Sequence, residues 1–297
     1  DFMLNFHTKL NYIAKDTDFY LKKIFLNKKK NRLNLTAPMK YGVFSGGKRF
    51  RSSILVNTGK IFGIDRKKLI IIGAAIECVH SYSLMHDDLP AMDNDDIRRG
   101  KLSVHKKFNE FTAILSGNAL LTFAFEILSG NSLKISSQKK TELIKALTIC
   151  SGSFGLAEGQ YLDLTFEKKK ISKKKIIDMQ KKKTGELFGF CCECAAIISG
   201  KSKKIRKDLK NIGIDIGLLF QITDDLIDHR GNSAIAGKPT RMDEKKGKAT
   251  LVRLLGDKKT INFAKKIKKK LEKKIKKYGS KSKDLLDSVD FILDRNF

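Results

Sequence analysis

Ile76-Glu77-Cys78-Val79-His80-Ser81-Tyr82-Ser83-Leu84-Met85-His86-Asp87-Asp88-Leu89-Pro90-Ala91-Met92-Asp93 reads as the end of a long apolar helix that runs into a knot of carboxylates. Positions 80, 83 and 87 fall at i, i+3, i+7, so His80, Ser83 and Asp87 share a helix face. Pro90 stops the helix, and Asp93 must come back toward Asp87 from an irregular turn. A second knot, Asp224-Asp225-Leu226-Ile227-Asp228, closes another helical stretch in which Gln221, Asp224, Asp225 and Asp228 form a polar stripe. Each knot sits at a helix C-terminus, where the macrodipole already disfavours negative charge. Carboxylates packed this tightly repel unless cations neutralise them, and hard oxygen ligands in bulk select Mg²⁺ over zinc. With Lys and Arg close by in sequence, the two knots describe a site for a metal-bridged polyphosphate.

Outward from these knots the periodicity is helical throughout, with no alternating run bounded by turn signals that would build a sheet. Helices are expected over Asn5–Leu26, Arg49–Phe62, Lys67–His86, Phe111–Ser129, Lys139–Leu156, Lys173–Ile198, Arg206–Asp228 and Lys258–Tyr278. Breaks are expected at Asn27–Tyr41, Gly63-Ile64-Asp65, Gly130-Asn131-Ser132, Gly200–Lys203 and Gly231–Gly247. None is long or rich enough in Gly and Pro to separate domains, so residues 1–297 are expected to form a single all-α domain.

The 41% hydrophobic content is enough for a sizeable core. No run of 18 or more uncharged apolar residues exists, so no membrane span is expected, and Asp1-Phe2-Met3-Leu4 shows no signal-peptide pattern. The net charge of +29 invites a nucleic-acid reading. The basic residues, however, are overwhelmingly Lys in dispersed runs such as Lys168-Lys169-Lys170 and Lys181-Lys182-Lys183, without aromatic interleaving or a zinc-finger spacing. They read as solvated faces, and no nucleic-acid partner is expected. The five cysteines, an odd number with no secretory signal, suggest reduced thiols and a cytoplasmic location. Cys191-Cys192-Glu193-Cys194 is too tightly spaced for a tetrahedral metal site and reads as buried helix.

Three further features converge on the carboxylates. Gly46-Gly47-Lys48-Arg49-Phe50-Arg51 places an open turn before a helix start, with Lys48 and Arg51 one turn apart, an arrangement suited to phosphate. Arg98-Arg99-Gly100 follows the first knot, and Gly237-Lys238-Pro239, with Asp243 and Lys248, follows the second. Each alone is a weak signal. Together, and in this order with Gly159-Gln160 and Lys183-Thr184-Gly185, they resemble the short-chain trans-polyprenyl diphosphate synthases, the bacterial farnesyl diphosphate synthase type in particular. The likeness runs from about Tyr41 to Leu255.

The resemblance implies a helical bundle around a deep central cavity (the isoprenoid synthase fold), usually as a homodimer. It implies that Asp87, Asp93 and Asp224 hold three Mg²⁺ on the diphosphate of an allylic substrate, with Asp88, Asp225 and Asp228 supporting them from behind. Arg98, Lys183, Lys238 and Lys248 would add positive charge to the same diphosphate. Gly47, Lys48, Arg51, His80 and Arg99 would hold isopentenyl diphosphate without metal. Lys183, Thr184 and Gln221 would face the allylic cation with weakly nucleophilic oxygen dipoles. Tyr82 and Ser83, about one turn below Asp87, would set the chain length, an aromatic there going with a fifteen-carbon product.

Ser52, Asn94, Asn118 and Arg241 depart from the family's usual Pro, Asp, Asp and Gly, and Arg241 stands where it would crowd a closing loop. Geranyl or geranylgeranyl diphosphate synthesis are the neighbouring readings. A terpene cyclase would have no use for Lys48, Arg51 and His80, and a silent partner subunit would have lost carboxylates from one knot. A basic nucleic-acid-binding helical protein is the alternative from another class.

Overall fold

A long, largely apolar helix spans Arg66–Asp87, and its residues Leu69, Ile71, Ile72, Ile76 and Cys78 are exposed by 1% or less. A helix that is apolar on almost every face belongs in a core. A computed structural model of the protein describes residues 2–26, 33–231 and 240–294, with side chains from residue 5. The chain divides into two compact units, Asp1–Val56 with Asp65–Ile144, and Asn57–Ile64 with Lys145–Phe297.

The first unit contains α1 (Phe2–Phe25), α2 (Thr36–Val43), the start of α3 (Phe50–Ile61), α4 (Arg66–Asp87), a two-stranded hairpin, α5 (Val104–Lys107), α6 (Glu110–Ser129) and the start of α7 (Ser137–Ser151). The core helix α4 packs on α6, α1 and α2. Asn109 starts α6 by accepting the Thr112 N–H at 2.8 Å, satisfying a donor that the helix cannot pair itself. The hairpin pairs β1 (Ile97–Arg98) antiparallel with β2 (Lys101–Leu102). Arg99 (φ 53°) and Gly100 (φ 75°) both take positive φ, as the tight two-residue turns of hairpins require.

The second unit contains the rest of α7, α8 (Leu156–Thr165), α9 (Lys173–Gln180), a π-helical turn (Lys181–Gly185), α10 (Glu186–Ile198) and α11 (Lys203–Arg230), then Met242–Lys246, Leu251–Leu255, Asp257–Lys276 and Lys283–Asp294. Its centre is the crossing of α10 and α11, where glycines four apart face each other. A Cβ added at Gly213 would lie 2.3 Å from the Phe188 carbonyl oxygen, and one at Gly217 would lie 2.7 Å from the Gly185 Cα. Both obstacles are backbone, so neither can turn aside.

The all-α expectation holds, and all eight expected helices are present, with ends shifted by a few residues. Helix α2 lies in an expected break, α8 and three of the four helices after residue 240 were not anticipated, and the expected Lys173–Ile198 helix is interrupted by the π turn. The hairpin is the one departure from helix among the described residues. The cysteines are core thiols, with burial pushing Cys192 up to about 12.

Two helices, α4 and α6, are long and apolar enough to cross a membrane by length and composition, where none was expected. In α4 that apolarity serves the core. Helix α6 keeps Phe111, Ile114 and Leu115 on an uncovered face.

The glycine crossing generates a prediction. Gly213→Val forces backbone apart and should cost about 3 kcal/mol, at the upper end of overpacking effects, read as a lower urea midpoint with an unchanged slope.

Candidate active site

The C-terminus of α4 is built so that the backbone of the first knot folds back on itself. Asp88 caps the helix, its N–H donating to the Leu84 carbonyl at 3.1 Å. The chain then folds back: the Asp93 N–H donates to the Asp87 carbonyl at 2.8 Å, and the Asp95 N–H to the Asp88 carbonyl at 3.1 Å. Asn94 turns the corner with φ 53°. Asp93 thus returns to Asp87 through main-chain bonds, as the position of Pro90 requires.

Burial separates the six carboxylates into two sets. Asp88, Asp225 and Asp228 are buried, while Asp87, Asp93 and Asp224 are half-exposed. Arg98 grips Asp88 from the hairpin, with Nε 2.9 Å from both carboxylate oxygens and Nη2 2.6 Å from Oδ1. Burial raises the Asp88 pKa more than this guanidinium lowers it, with Asp95 and Asp93 adding to the rise.

On α11, Asp225 accepts from Gln180 Nε2 at 2.7 Å and from Gln221 Nε2 at 2.8 Å. Burial, then the nearby Asp243, pushes its pKa well above the usual carboxylate range. Asp228 caps the short helix Met242–Lys246, accepting the Asp243 N–H at 3.1 Å and the Met242 N–H at 3.4 Å. Arg241 enters that helix in the left-handed region (φ 57°), a conformation glycine adopts without strain. The crowding feared of Arg241 therefore takes the form of backbone strain, with its side chain lying over Gly231.

A second constellation, in the first unit, is cationic. Gly46 and Gly47 both have φ near 115°, and a Cβ at Gly47 would lie 2.7 Å from the Arg99 guanidinium carbon. The missing side chain makes room for that group, which donates to the Gly46 carbonyl. Arg51 donates from Nη1 to His80 Nε2 at 3.2 Å. An arginine can only donate, so Nε2 accepts and a neutral His80 carries its proton on Nδ1. Burial first, then the charges of Arg51, Arg99, Arg98 and Arg49, hold the His80 pKa well below its ordinary value. Arg99, lowered by burial to about 10, stays charged at neutral pH. Lys48 is exposed beside this group.

Thr184, inside the π turn, donates to Gln221 Oε1 at 2.8 Å. Lys183 and Lys248 both donate to one oxygen of Asp163, at 2.7 and 2.8 Å. Lys248 also pairs with Glu167 at 2.9 Å. Burial tends to raise the Asp163 pKa, but the two ammonium groups prevail and bring it to about 2. Tyr82 stands edge-on to His86 at 5.3 Å, and His86 Nε2 lies 3.0 Å from the Ile114 carbonyl. Ser83 donates to the His80 carbonyl at 2.7 Å. Lys238 lies outside the described residues.

The family profile described as Polyprenyl synthetase matches residues 32–289, running through both units. The chain belongs to the polyprenyl synthetase family. Among its relatives, the farnesyl diphosphate synthase of Escherichia coli is 38% identical over 87% of this chain and 88% of its own length. That of Micrococcus luteus is 42% identical over 73% and 74%. Among solved structures, an FPP/GFPP synthase from Zymomonas mobilis superposes with a TM-score of 0.88 at 39% identity, covering 98% of this chain and 99% of that one. A geranyltransferase from Helicobacter pylori, complexed with magnesium and isoprenyl diphosphate, has a TM-score of 0.83 at 31% identity, with 96% of each chain covered.

The donor set fits such a metal. Among the described residues no three His, Cys, Asp or Glu side chains form a closed cage. Carboxylate oxygens in pairs, completed by substrate phosphates and water, are how proteins usually bind Mg²⁺.

Sequence reasoning did not single out Asp163, Gln180, Glu77 or Arg49. Asp163 had a legible signal, three residues after Gln160 on the same helix. Arg49 was read only as part of a basic motif, yet it is buried, donating to Asp18 at 2.7 Å and to the Val43 carbonyl at 2.7 Å, with Glu77 at 3.7 Å. Ser52 donates its N–H to Glu77 at 3.2 Å, a bond that a proline at this position could not make.

The depressed Asp163 pKa has a sign. Its stabilisation is complete above the unfolded value near pH 4 and is lost as pH falls toward 2. Asp163→Asn should therefore cost about 2 kcal/mol at pH 6, converging on wild type near pH 2, as read by urea denaturation across that range.

Proposed function

We propose that the chain is a prenyltransferase that makes farnesyl diphosphate by head-to-tail condensation of isopentenyl diphosphate with dimethylallyl and then geranyl diphosphate. The observation that carries this reading is the presence, in one chain, of two kinds of anion site. One is a pair of half-exposed carboxylate clusters that need cations before they can hold a phosphate. The other is a guanidinium cluster around a neutral His80 that needs none. A reaction with two diphosphates, one leaving and one merely held, calls for both. The resemblances to farnesyl diphosphate synthases and geranyltransferases support the same assignment, and we treat residues 1–297 as one catalytic domain because the family match runs through both units.

In this reading Asp87, Asp93 and Asp224 hold Mg²⁺, three ions in all, on the allylic diphosphate. Mg²⁺ held there would supply positive charge to offset that developing on the leaving diphosphate as the C–O bond breaks. Arg98 fixes Asp88 behind the first cluster, while Gln180 and Gln221 fix Asp225 behind the second, so the accessible carboxylates are held by buried neighbours. Lys183 and Lys248 complement the departing diphosphate by sharing their hold on Asp163. Thr184, whose proton is committed to Gln221, offers its oxygen lone pairs to the allylic cation. Arg51, Arg99 and Lys48 hold isopentenyl diphosphate with the help of His80. The departed diphosphate takes the final proton, and no protein base is needed.

Tyr82 supplies the floor that stops growth at fifteen carbons. Burial and the Asp87 charge raise its pKa, so it presents a neutral ring. The uncovered face of α6 is the surface we assign to a homodimer, and five buried reduced thiols suit the cytoplasm.

Incubation with isopentenyl and dimethylallyl diphosphate and Mg²⁺ should yield a fifteen-carbon product that disappears with EDTA. Asp87→Asn or Asp224→Asn should lower kcat by about a hundredfold or more with the thermal transition retained, since these groups act on the leaving diphosphate. Normal turnover in either would remove the metal assignment. Tyr82→Ala should shift the main product to a longer chain, and an unchanged product by mass spectrometry would place the floor elsewhere.

A further inference from the structure

The second unit contains a run of side-chain hydrogen bonds that begins at Gln180, so far placed only as a partner of Asp225. Gln180, the last residue of α9, is 3% exposed and donates Nε2 to Asp225 Oδ2 at 2.7 Å. Asp225, 4% exposed, accepts on its other oxygen from Gln221 Nε2 at 2.8 Å. Gln221 in turn accepts on Oε1 from the Thr184 hydroxyl at 2.8 Å. Each link fixes the direction of the next. As an anion Asp225 only accepts, so Gln221 turns its amide nitrogen toward Asp225 and its carbonyl oxygen toward Thr184. Thr184 has one hydroxyl hydrogen, and Gln221 takes it. Both lone pairs of the threonine oxygen then remain available to a cation. If Gln221 were turned over, its NH₂ would meet Thr184 and claim one of those lone pairs.

Without Gln180 the buried Asp225 Oδ2 would lack a hydrogen-bond donor, and a carboxylate so placed re-orients to find one. We propose that Gln180 is a positioning residue: by holding Asp225 it sets the orientation of the Gln221 carboxamide and so keeps the Thr184 oxygen turned to the allylic cation. This rests on the prenyl-transfer reading above. Gln180 touches no substrate, and its effect reaches the reaction through three hydrogen bonds in series.

The test uses the full chain with both diphosphates and Mg²⁺. Gln180→Leu should lower kcat about tenfold or more while both KM values stay within about twofold, the signature of an interaction that matters after binding. Gln180→His, whose Nε2–H stands about where the amide nitrogen does, should restore kcat to within about threefold of wild type. In a Thr184→Val background, Gln180→Leu should cost less than about twofold more, because residues acting in series are not additive. Should the leucine variant fail to fold, Gln180→Met takes its place in the same comparison. Wild-type kcat in the leucine or methionine variant would overturn the inference, and so would an undiminished loss in the Thr184→Val background, which would mean general loosening. A wild-type protein that forms no prenyl product under these conditions would overturn the prenyl-transfer reading and this inference with it.

Discussion

Negative charge crowded at the C-termini of two helices is the constraint around which the rest of the structure is arranged. Asp87, Asp88 and Asp93 close one helix, and Asp224, Asp225 and Asp228 lie near the end of another, where the backbone already presents carbonyl oxygens. Each cluster is made tolerable in the same manner. One carboxylate is drawn inward and given donors, Arg98 for Asp88 and a pair of carboxamides for Asp225. The carboxylates left nearer the surface are, on the proposed reading, the ones that meet a cation. The cost of burying a charge is met by hydrogen bonds, and the cost of exposing several together is left for a bound metal to relieve.

The cationic constellation of the first unit inverts this logic. Burial, and after it four guanidinium groups acting on one imidazole, keep His80 neutral. Positive charge gathered this closely is as unfavourable as its opposite, and on the proposed reading an incoming diphosphate relieves it. Glu77 is a buried acid against this group, and its hold on Arg49 and on the Ser52 amide anchors the cationic loop to α4. On the proposed reading, the two diphosphates are told apart by the sign of the charge that awaits each.

Much of this was legible in the residues. The helical period of Arg66–Asp87 and the stop at Pro90 fixed where Asp87 would sit, and the need to bring Asp93 back followed from the same proline. What escaped was what depends on partners distant in sequence. Asp163 looks like any acid on a helix until two lysines, 20 and 85 positions later, meet on one of its oxygens. Gln180 looks like a solvated residue at the edge of a lysine run, and only the fold shows it buried against Asp225. Helix α2 was hidden because its short sequence, with Pro38 near its start, reads as loop when no neighbour is in view. The hairpin was missed for want of length, since two residues per strand leave no alternation to detect.

The π turn at Lys181–Gly185 acts as a phase shifter. An α-helix advances about 100° per residue, so one extra residue within a turn rotates everything after it by that amount relative to an unbroken helix. Before the turn, Gln180 is directed to Asp225; after it, Gly189 and the buried face of α10 are directed to α11. A continuous helix through this segment could satisfy one of those two requirements but not both. Lys183 and Thr184 therefore sit where the helix changes register, and loss of a single residue there would set the glycine crossing against the polar network rather than merely shorten a helix.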